Sequence, residues 1–136
     1  MKFILAEPIF VSCQGEWLLT GKPSIFIRFF GCNLDCNFCD SLYSVHYEKS
    51  DTIILELEEV IEKVKSFKCN HIIFTWGEPT LFQKQIKAIQ QELWAEFDYE
   101  LETNWGIKLD DDFFIHQINI SPKLENSWNE LYELKI

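Results

Sequence analysis

Ser24-Ile25-Phe26-Ile27-Arg28-Phe29-Phe30 runs into Gly31 and then into Cys32-Asn33-Leu34-Asp35-Cys36-Asn37-Phe38-Cys39. The first seven residues are rich in β-branched and aromatic side chains and stop abruptly at a glycine. That pattern predicts a strand feeding a loop that begins at Cys32. Positions 31–47 then read as one irregular segment. Apart from Arg28 the strand is apolar on both faces, so a charge there needs a partner or a purpose.

Working outward, Leu57, Val60, Ile61, Val64 and Phe67 recur at helical spacing between charged residues and predict an amphipathic helix over about 55–67. His71-Ile72-Ile73-Phe74-Thr75 is a short apolar run that ends at Gly77-Glu78-Pro79. Phe82, Ile86, Ile89 and Leu93 mark a second amphipathic helix. Phe97 to Glu102 alternates and stops at Thr103-Asn104-Trp105-Gly106, and Gln117 to Ile120 stops at Ser121-Pro122-Lys123. A last strand is expected over 131–136. Strands separated by helical crossovers predict an α/β fold with a parallel sheet and right-handed connections, in which ligands bind at the carboxyl ends of the strands. With no repeats, low-complexity tracts or linker, residues 1–136 are expected to form a single domain.

The 136 residues, 47% hydrophobic and 25% charged, suit one soluble core. Lys plus Arg number 12 against 22 Asp plus Glu, a net charge of −10. This excludes a non-specific nucleic-acid or anionic-membrane binder. No apolar run approaches the roughly 18 residues of a membrane helix, and Met1 to Ala6 lacks the regions of a signal peptide. The expected location is therefore cytoplasmic.

The five cysteines stand at 13, 32, 36, 39 and 69, an odd number with three crowded together, which is a poor disulfide framework. Three thiolates on one loop can take three corners of a 4Fe-4S cluster and leave the fourth iron open to an exogenous ligand. A zinc site completed by a distant residue, or unrelated buried thiols, fit the spacing too. Cys13, Cys69, His46, His71 and His116 match no ligand spacing and are read as structural.

The cysteine spacing with its surroundings resembles radical S-adenosylmethionine enzymes. Gln14-Gly15-Glu16, Gly21-Lys22-Pro23-Ser24, Phe26-Ile27-Arg28, Gly31-Cys32-Asn33-Leu34 and Cys39-Asp40-Ser41 narrow the resemblance to the 7-carboxy-7-deazaguanine synthase family. Thr75 to Pro79, Glu102-Thr103-Asn104 with Gly106, and Ser121-Pro122-Lys123 follow in that family's order. The resemblance implies a partial (β/α) barrel with a curved parallel sheet, ending short of the family's closing βα structure.

It also implies a cofactor set of a 4Fe-4S cluster on Cys32, Cys36 and Cys39, S-adenosyl-L-methionine, and Mg²⁺ with Ser41 as a ligand. Radical chemistry on 6-carboxy-5,6,7,8-tetrahydropterin would give 7-carboxy-7-deazaguanine with loss of ammonia. Gln14, Gly15, Glu16, Arg28 and Thr75 would contact the pterin, with Arg28 on its carboxylate. Phe38, Gly77, Glu78, Thr103, Ser121, Pro122 and Lys123 would contact the cofactor. A homodimer and a flavodoxin or ferredoxin electron donor are implied as partners. A glycyl-radical-enzyme activase, or a catalytically silent short relative holding iron-sulfur or zinc, are the rival readings.

Two positions depart from the family pattern. Trp76 stands where the first glycine of a Gly-Gly-Glu-Pro motif is expected, and Trp17 stands after Glu16 where glycine is usual. An indole adds bulk and restricts φ, which predicts weakened cofactor binding or a rerouted loop, unless the ring serves as packing.

Overall fold

The computed structural model describes residues 1–46, 52–124 and 127. In chain order the strands and helices are β1 (Lys2–Leu5), β2 (Phe10–Cys13), β3 (Pro23–Arg28), β4 (Ile53–Glu56), α1 (Leu57–Lys65), β5 (His71–Thr75), α2 (Gln83–Leu93), β6 (Asp98–Thr103) and β7 (Gln117–Ile120). The strand expected over 131–136 lies outside the described residues.

The central sheet has five strands in the order β2-β3-β5-β6-β7. β3, β5, β6 and β7 run parallel, as the βα alternation requires, whereas β2 pairs antiparallel with β3 along one edge. β1 and β4 form a separate antiparallel pair, Lys2 opposite Glu56. The helix expected from about residue 55 therefore starts at Leu57, because residues 53–56 belong to β4. The Glu59 carboxylate accepts the Glu56 N–H at 2.7 Å and closes the first turn of α1. Glu58 and Glu59 at its start and Lys63 and Lys65 at its end complement the helix dipole. β3 leaves its ladder after Arg28, and Phe29 bridges to Leu5 of β1 instead.

Because side chains alternate across a strand, the sheet has two different faces. Ile25, Ile27, Ile72, Phe74, Tyr99 and Leu101 point one way and pack with Val60 and Val64 of α1 and Ile86, Ile89 and Leu93 of α2. Each such fully buried side chain contributes roughly 1.5–3 kcal/mol by leaving water. Arg28, His71, Thr75, Glu100, Glu102 and Asn119 alternate with them and occupy the opposite face. Among the described residues no helix is long and apolar enough to cross a membrane.

Candidate functional site

The carboxyl ends of β3, β5, β6 and β7 open into one cavity of about 680 Å³. Its wall brings together Cys32, Cys36, Phe38, Cys39 and Ser41 of the loop after β3 with Glu16 and Arg28. Thr75, Gly77, Thr103, Ser121 and Lys123 complete it from the other strand ends. Gln14 and Gly15 line a smaller adjoining cavity of about 230 Å³, which shares Glu16, Arg28, Thr75, Trp76 and Glu102 with the first. Of the remaining expected residues, Pro122 lines neither cavity and Glu78 is fully buried beside them.

Of the three loop cysteines, Cys36 is buried and the other two are half-buried. Burial pushes the Cys32 thiol up to about 11, against the Leu34 N–H that favours its thiolate, and the nearby Glu78, Cys36 and Cys39 push it further the same way. Cys32 therefore keeps its proton until a cationic centre arrives, and a coordinating metal inverts that preference. Among the described residues no three of His, Cys, Asp and Glu converge as a single metal ion requires. A four-iron cluster asks less of the loop, since each thiolate binds a different iron, and three thiols facing one cavity suit it. Cys13 and Cys69 sit at the far end of β3: Cys13 pairs with Pro23 in the ladder and Cys69 donates to the Pro23 carbonyl at 3.2 Å.

The strand-end loops are tied to one another by backbone and by one carboxylate. The Gly31 carbonyl accepts the Glu78 N–H at 2.8 Å, and the Gly31 N–H donates to Ser44 O at 2.7 Å. Gly77 has φ 55°, and a Cβ there would lie 2.0 Å from Gly31 O, so only glycine fits. The Glu78 carboxylate accepts from Thr80 N and Thr80 Oγ1 at 3.0 and 2.6 Å, from Thr103 Oγ1 at 2.7 Å and from Asn104 N at 2.7 Å. It is a brace between the ends of β5 and β6, and the Glu78 N–H and carbonyl are themselves bonded to Gly31 O and Leu81 N. Asn104 in turn donates to Asn33 Oδ1 at 2.8 Å and reaches the cysteine loop.

On the polar face, Arg28 Nη1 donates to Glu7 Oε1 at 2.5 Å, while its buried Nε has no hydrogen-bond partner. Thr75 Oγ1 donates to Glu102. Gln14 is buried and its amide donates to Glu100 Oε1 at 2.6 Å and Glu102 Oε1 at 2.9 Å, while its carbonyl accepts the Glu16 N–H at 3.3 Å. Gln14 therefore shapes the 14–16 turn from beneath. His71 Nε2 lies 2.8 Å from Glu100 Oε2, and Asn119 donates to Glu100 Oε1. Burial raises the Glu100 carboxyl, but the bonds from His71, Gln14 and Asn119 outweigh it and hold it below its ordinary value. Ser41 Oγ donates to Asp40 Oδ1 at 2.9 Å, which sets a hydroxyl and a carboxylate side by side on the cavity wall. Lys123 Nζ donates to Ser121 Oγ at 2.7 Å.

Both departing tryptophans keep a left-handed backbone, φ 63° at Trp17 and 59° at Trp76. The loop after β5 thus retains the conformation a glycine would supply, at a strain of roughly 1–3 kcal/mol. Trp76 packs on Arg28 and Tyr43 at the cavity wall, away from the helix-facing core. Sequence reasoning did not single out Glu7, Tyr43, Glu100 or Glu102 as site residues. Glu7 and Tyr43 meet Arg28 and Trp76 from distant segments, and only the alternation of Phe97 to Glu102 hinted that Glu100 and Glu102 share a face.

Residues 26–116 match the Radical SAM superfamily. The chain is 41% identical over 100 residues to the 7-carboxy-7-deazaguanine synthase of Haemophilus influenzae, covering 74% of this chain and 44% of that protein. It is 35% identical over 120 residues to the 7-carboxy-7-deazaguanine synthase of Halobacterium salinarum, covering 88% and 45%, and 34% identical over 124 residues to that of Aquifex aeolicus, covering 88% and 55%. The chain spans about half the length of these curated relatives. Its fold is that of QueE from Escherichia coli, whose crystal structure superposes with a TM-score of 0.76 at 21% identity, over 98% of this chain and 64% of that one.

Proposed function

Because the chain belongs to the Radical SAM superfamily, we propose that it carries the 7-carboxy-7-deazaguanine synthase reaction. In that reaction 6-carboxy-5,6,7,8-tetrahydropterin becomes 7-carboxy-7-deazaguanine, a queuosine precursor, with loss of ammonia. The observation that carries the reading is the convergence of three cysteines and the Arg28, Thr75 and Glu102 side chains on one cavity at the strand ends. Cys32, Cys36 and Cys39 would hold a 4Fe-4S cluster, Ser41 would contribute to Mg²⁺, and Phe38, Gly77, Glu78, Thr103, Ser121, Pro122 and Lys123 would hold S-adenosylmethionine. When bound, cluster and S-adenosylmethionine supply hydrogen-atom abstraction.

The chain's own residues bind and orient the pterin. Arg28 receives its carboxylate through N–H groups in the guanidinium plane, in competition with Glu7. The 14–16 turn, shaped by Gln14, presents the Gly15 and Glu16 backbone to the ring edge, and Thr75 stands beside it, tied to Glu102. Walls built from Phe38, Tyr43 and Trp76 reduce the water around the reacting atoms. Three cysteines crowded on one cluster loop suit a reducing, cytoplasmic compartment, with a flavodoxin or ferredoxin as electron donor. The open edge of β2, with Val11 exposed, suits pairing with a second copy in a homodimer.

Anaerobic reconstitution tests the reading, with iron, sulfide and zinc analysis, EPR before and after adding S-adenosylmethionine, and turnover of the carboxypterin. About four irons and four sulfides per chain, an EPR change with S-adenosylmethionine and product formation are expected. Zinc without sulfide, or glycyl-radical formation on a partner protein without pterin turnover, would overturn it. Cys36→Ala should abolish iron incorporation and Cys69→Ala should leave it unchanged; equal iron in both variants contradicts the ligand assignment.

A further inference from the structure

Trp76 holds a backbone conformation that glycine adopts freely and tryptophan does not, φ 59°, directly beside a glycine that cannot be replaced. Strain of this kind persists only where the surroundings over-determine it, and it gathers at ligand-handling sites. The surroundings here are specific. The Arg28 Cζ lies 3.4 Å from the Trp76 ring centroid, so the guanidinium stacks on the indole. The Tyr43 ring meets the same indole edge-on at 4.9 Å and 75°. Phe10 and Phe26, themselves stacked at 5.2 Å, flank Arg28 with ring centroids 4.9 and 5.6 Å from Cζ.

The stack joins the end of β3, the end of β5 and the cysteine loop at the boundary between the two cavities, both of which Trp76 lines. A guanidinium lying against a ring can take an anion only through its in-plane N–H groups. Nη1 already donates to Glu7, and the buried Nε is without a partner. Without the indole, the guanidinium would keep only the more distant Phe10 and Phe26 rings and its bond to Glu7, and its plane would be held less tightly.

We propose that Trp76 is a positioning residue: its indole fixes the plane of the Arg28 guanidinium and thereby the orientation in which a planar ring carboxylate is received. The proposal rests on the reading of Arg28 as the carboxylate receptor and goes beyond it, because it assigns the aromatic neighbour a share of the selectivity. Glycine at this position would keep the backbone path and lose the plane.

Calorimetric binding of 6-carboxypterin and of pterin, the same ring without the carboxylate, to the anaerobically reconstituted protein tests it. Trp76→Gly should weaken 6-carboxypterin about tenfold, leave pterin unchanged and retain the fold, since it relieves the left-handed strain. Trp76→Phe should recover most of the loss. In NMR spectra of the ligand-free protein, the Arg28 Nε–H resonance should carry an upfield ring-current shift that Trp76→Gly removes. Equal weakening of both ligands by Trp76→Gly, no weakening of either, or an unmoved Arg28 resonance overturns the role of Trp76. Arg28→Gln separates the two readings: if it spares 6-carboxypterin affinity, the receptor assignment fails, whatever Trp76 does.

Discussion

The two faces of the five-stranded sheet are built from alternate residues of the same strands, yet they obey different rules. On the helix-facing side Ile25, Ile27, Ile72, Phe74 and Leu101 are completely buried and exchange only apolar contacts with α1 and α2. On the other side Glu100 and His71 are just as buried, but there polar atoms are matched with one another, in a chain from His71 Nε2 through Glu100 and Gln14 to Glu102 and Thr75, with His71 Nδ1 and Arg28 Nε left without a partner. The first face tolerates a change of shape poorly and a change of pairing not at all, because it has none. The second depends on pairing, and that pairing ends at the cavity.

Substitutions at adjacent positions can break this contrast. Phe74→Ala, on the apolar face, should cost about 3–5 kcal/mol in urea unfolding through the cavity it leaves. A loss under about 1 kcal/mol would mean that the helix layer does not hold the sheet. Glu100→Gln, on the polar face, should cost about 2 kcal/mol near neutral pH, since Gln14 and Asn119 both donate to Oε1 and an amide oxygen keeps them only by turning its nitrogen against His71 Nε2, with the carboxylate charge lost. Its pH signature is sharper. Glu100 is held below the ordinary carboxyl value of 4.5, so its stabilisation is fully present above that value and is lost as pH falls through the lower folded one. The wild-type protein should therefore lose stability more steeply below about pH 4.5 than Glu100→Gln does, and parallel acid melts would contradict the pairing.

Gly77→Ala tests the junction between the faces and the cysteine loop. A Cβ 2.0 Å from Gly31 O must displace backbone, so roughly 1–3 kcal/mol of stability and part of the iron loading should go together. The smallest effect belongs to Thr75→Val, which removes the hydroxyl on Glu102 and should cost about 1 kcal/mol. Its pterin affinity should fall while the apolar face next door is untouched; unchanged ligand binding would take Thr75 out of the site.

Much of this division is written in the sequence. The helical spacing of Val60 and Val64, and of Ile86, Ile89 and Leu93, gives the apolar face its partners, and β5 and β7 occupy the residues their composition indicates. β1, β2 and β4 escape because each is four residues long and paired antiparallel at the periphery, where β2 is largely exposed and shows no alternation. The cysteine triplet and the strand-end tripeptides are legible because they are local. Glu7 and Tyr43 are not, since their partners Arg28 and Trp76 lie far along the chain. Glu100 misleads for another reason: alternation in Asp98 to Glu102 separates two faces but does not say that the charged one is covered as well.

The contact between Gly31 and Gly77 has a consequence for how such a site can vary. The loop bearing the thiols and the loop facing it are aligned main chain to main chain, through the Glu78 N–H on Gly31 O and a spacing that excludes any side chain. A frame set this way is indifferent to what its neighbours display. Glycine before Gly77 would give up the Tyr43 contact but leave these main-chain ties in place, so the selectivity proposed for position 76 can vary while the two loops stay joined.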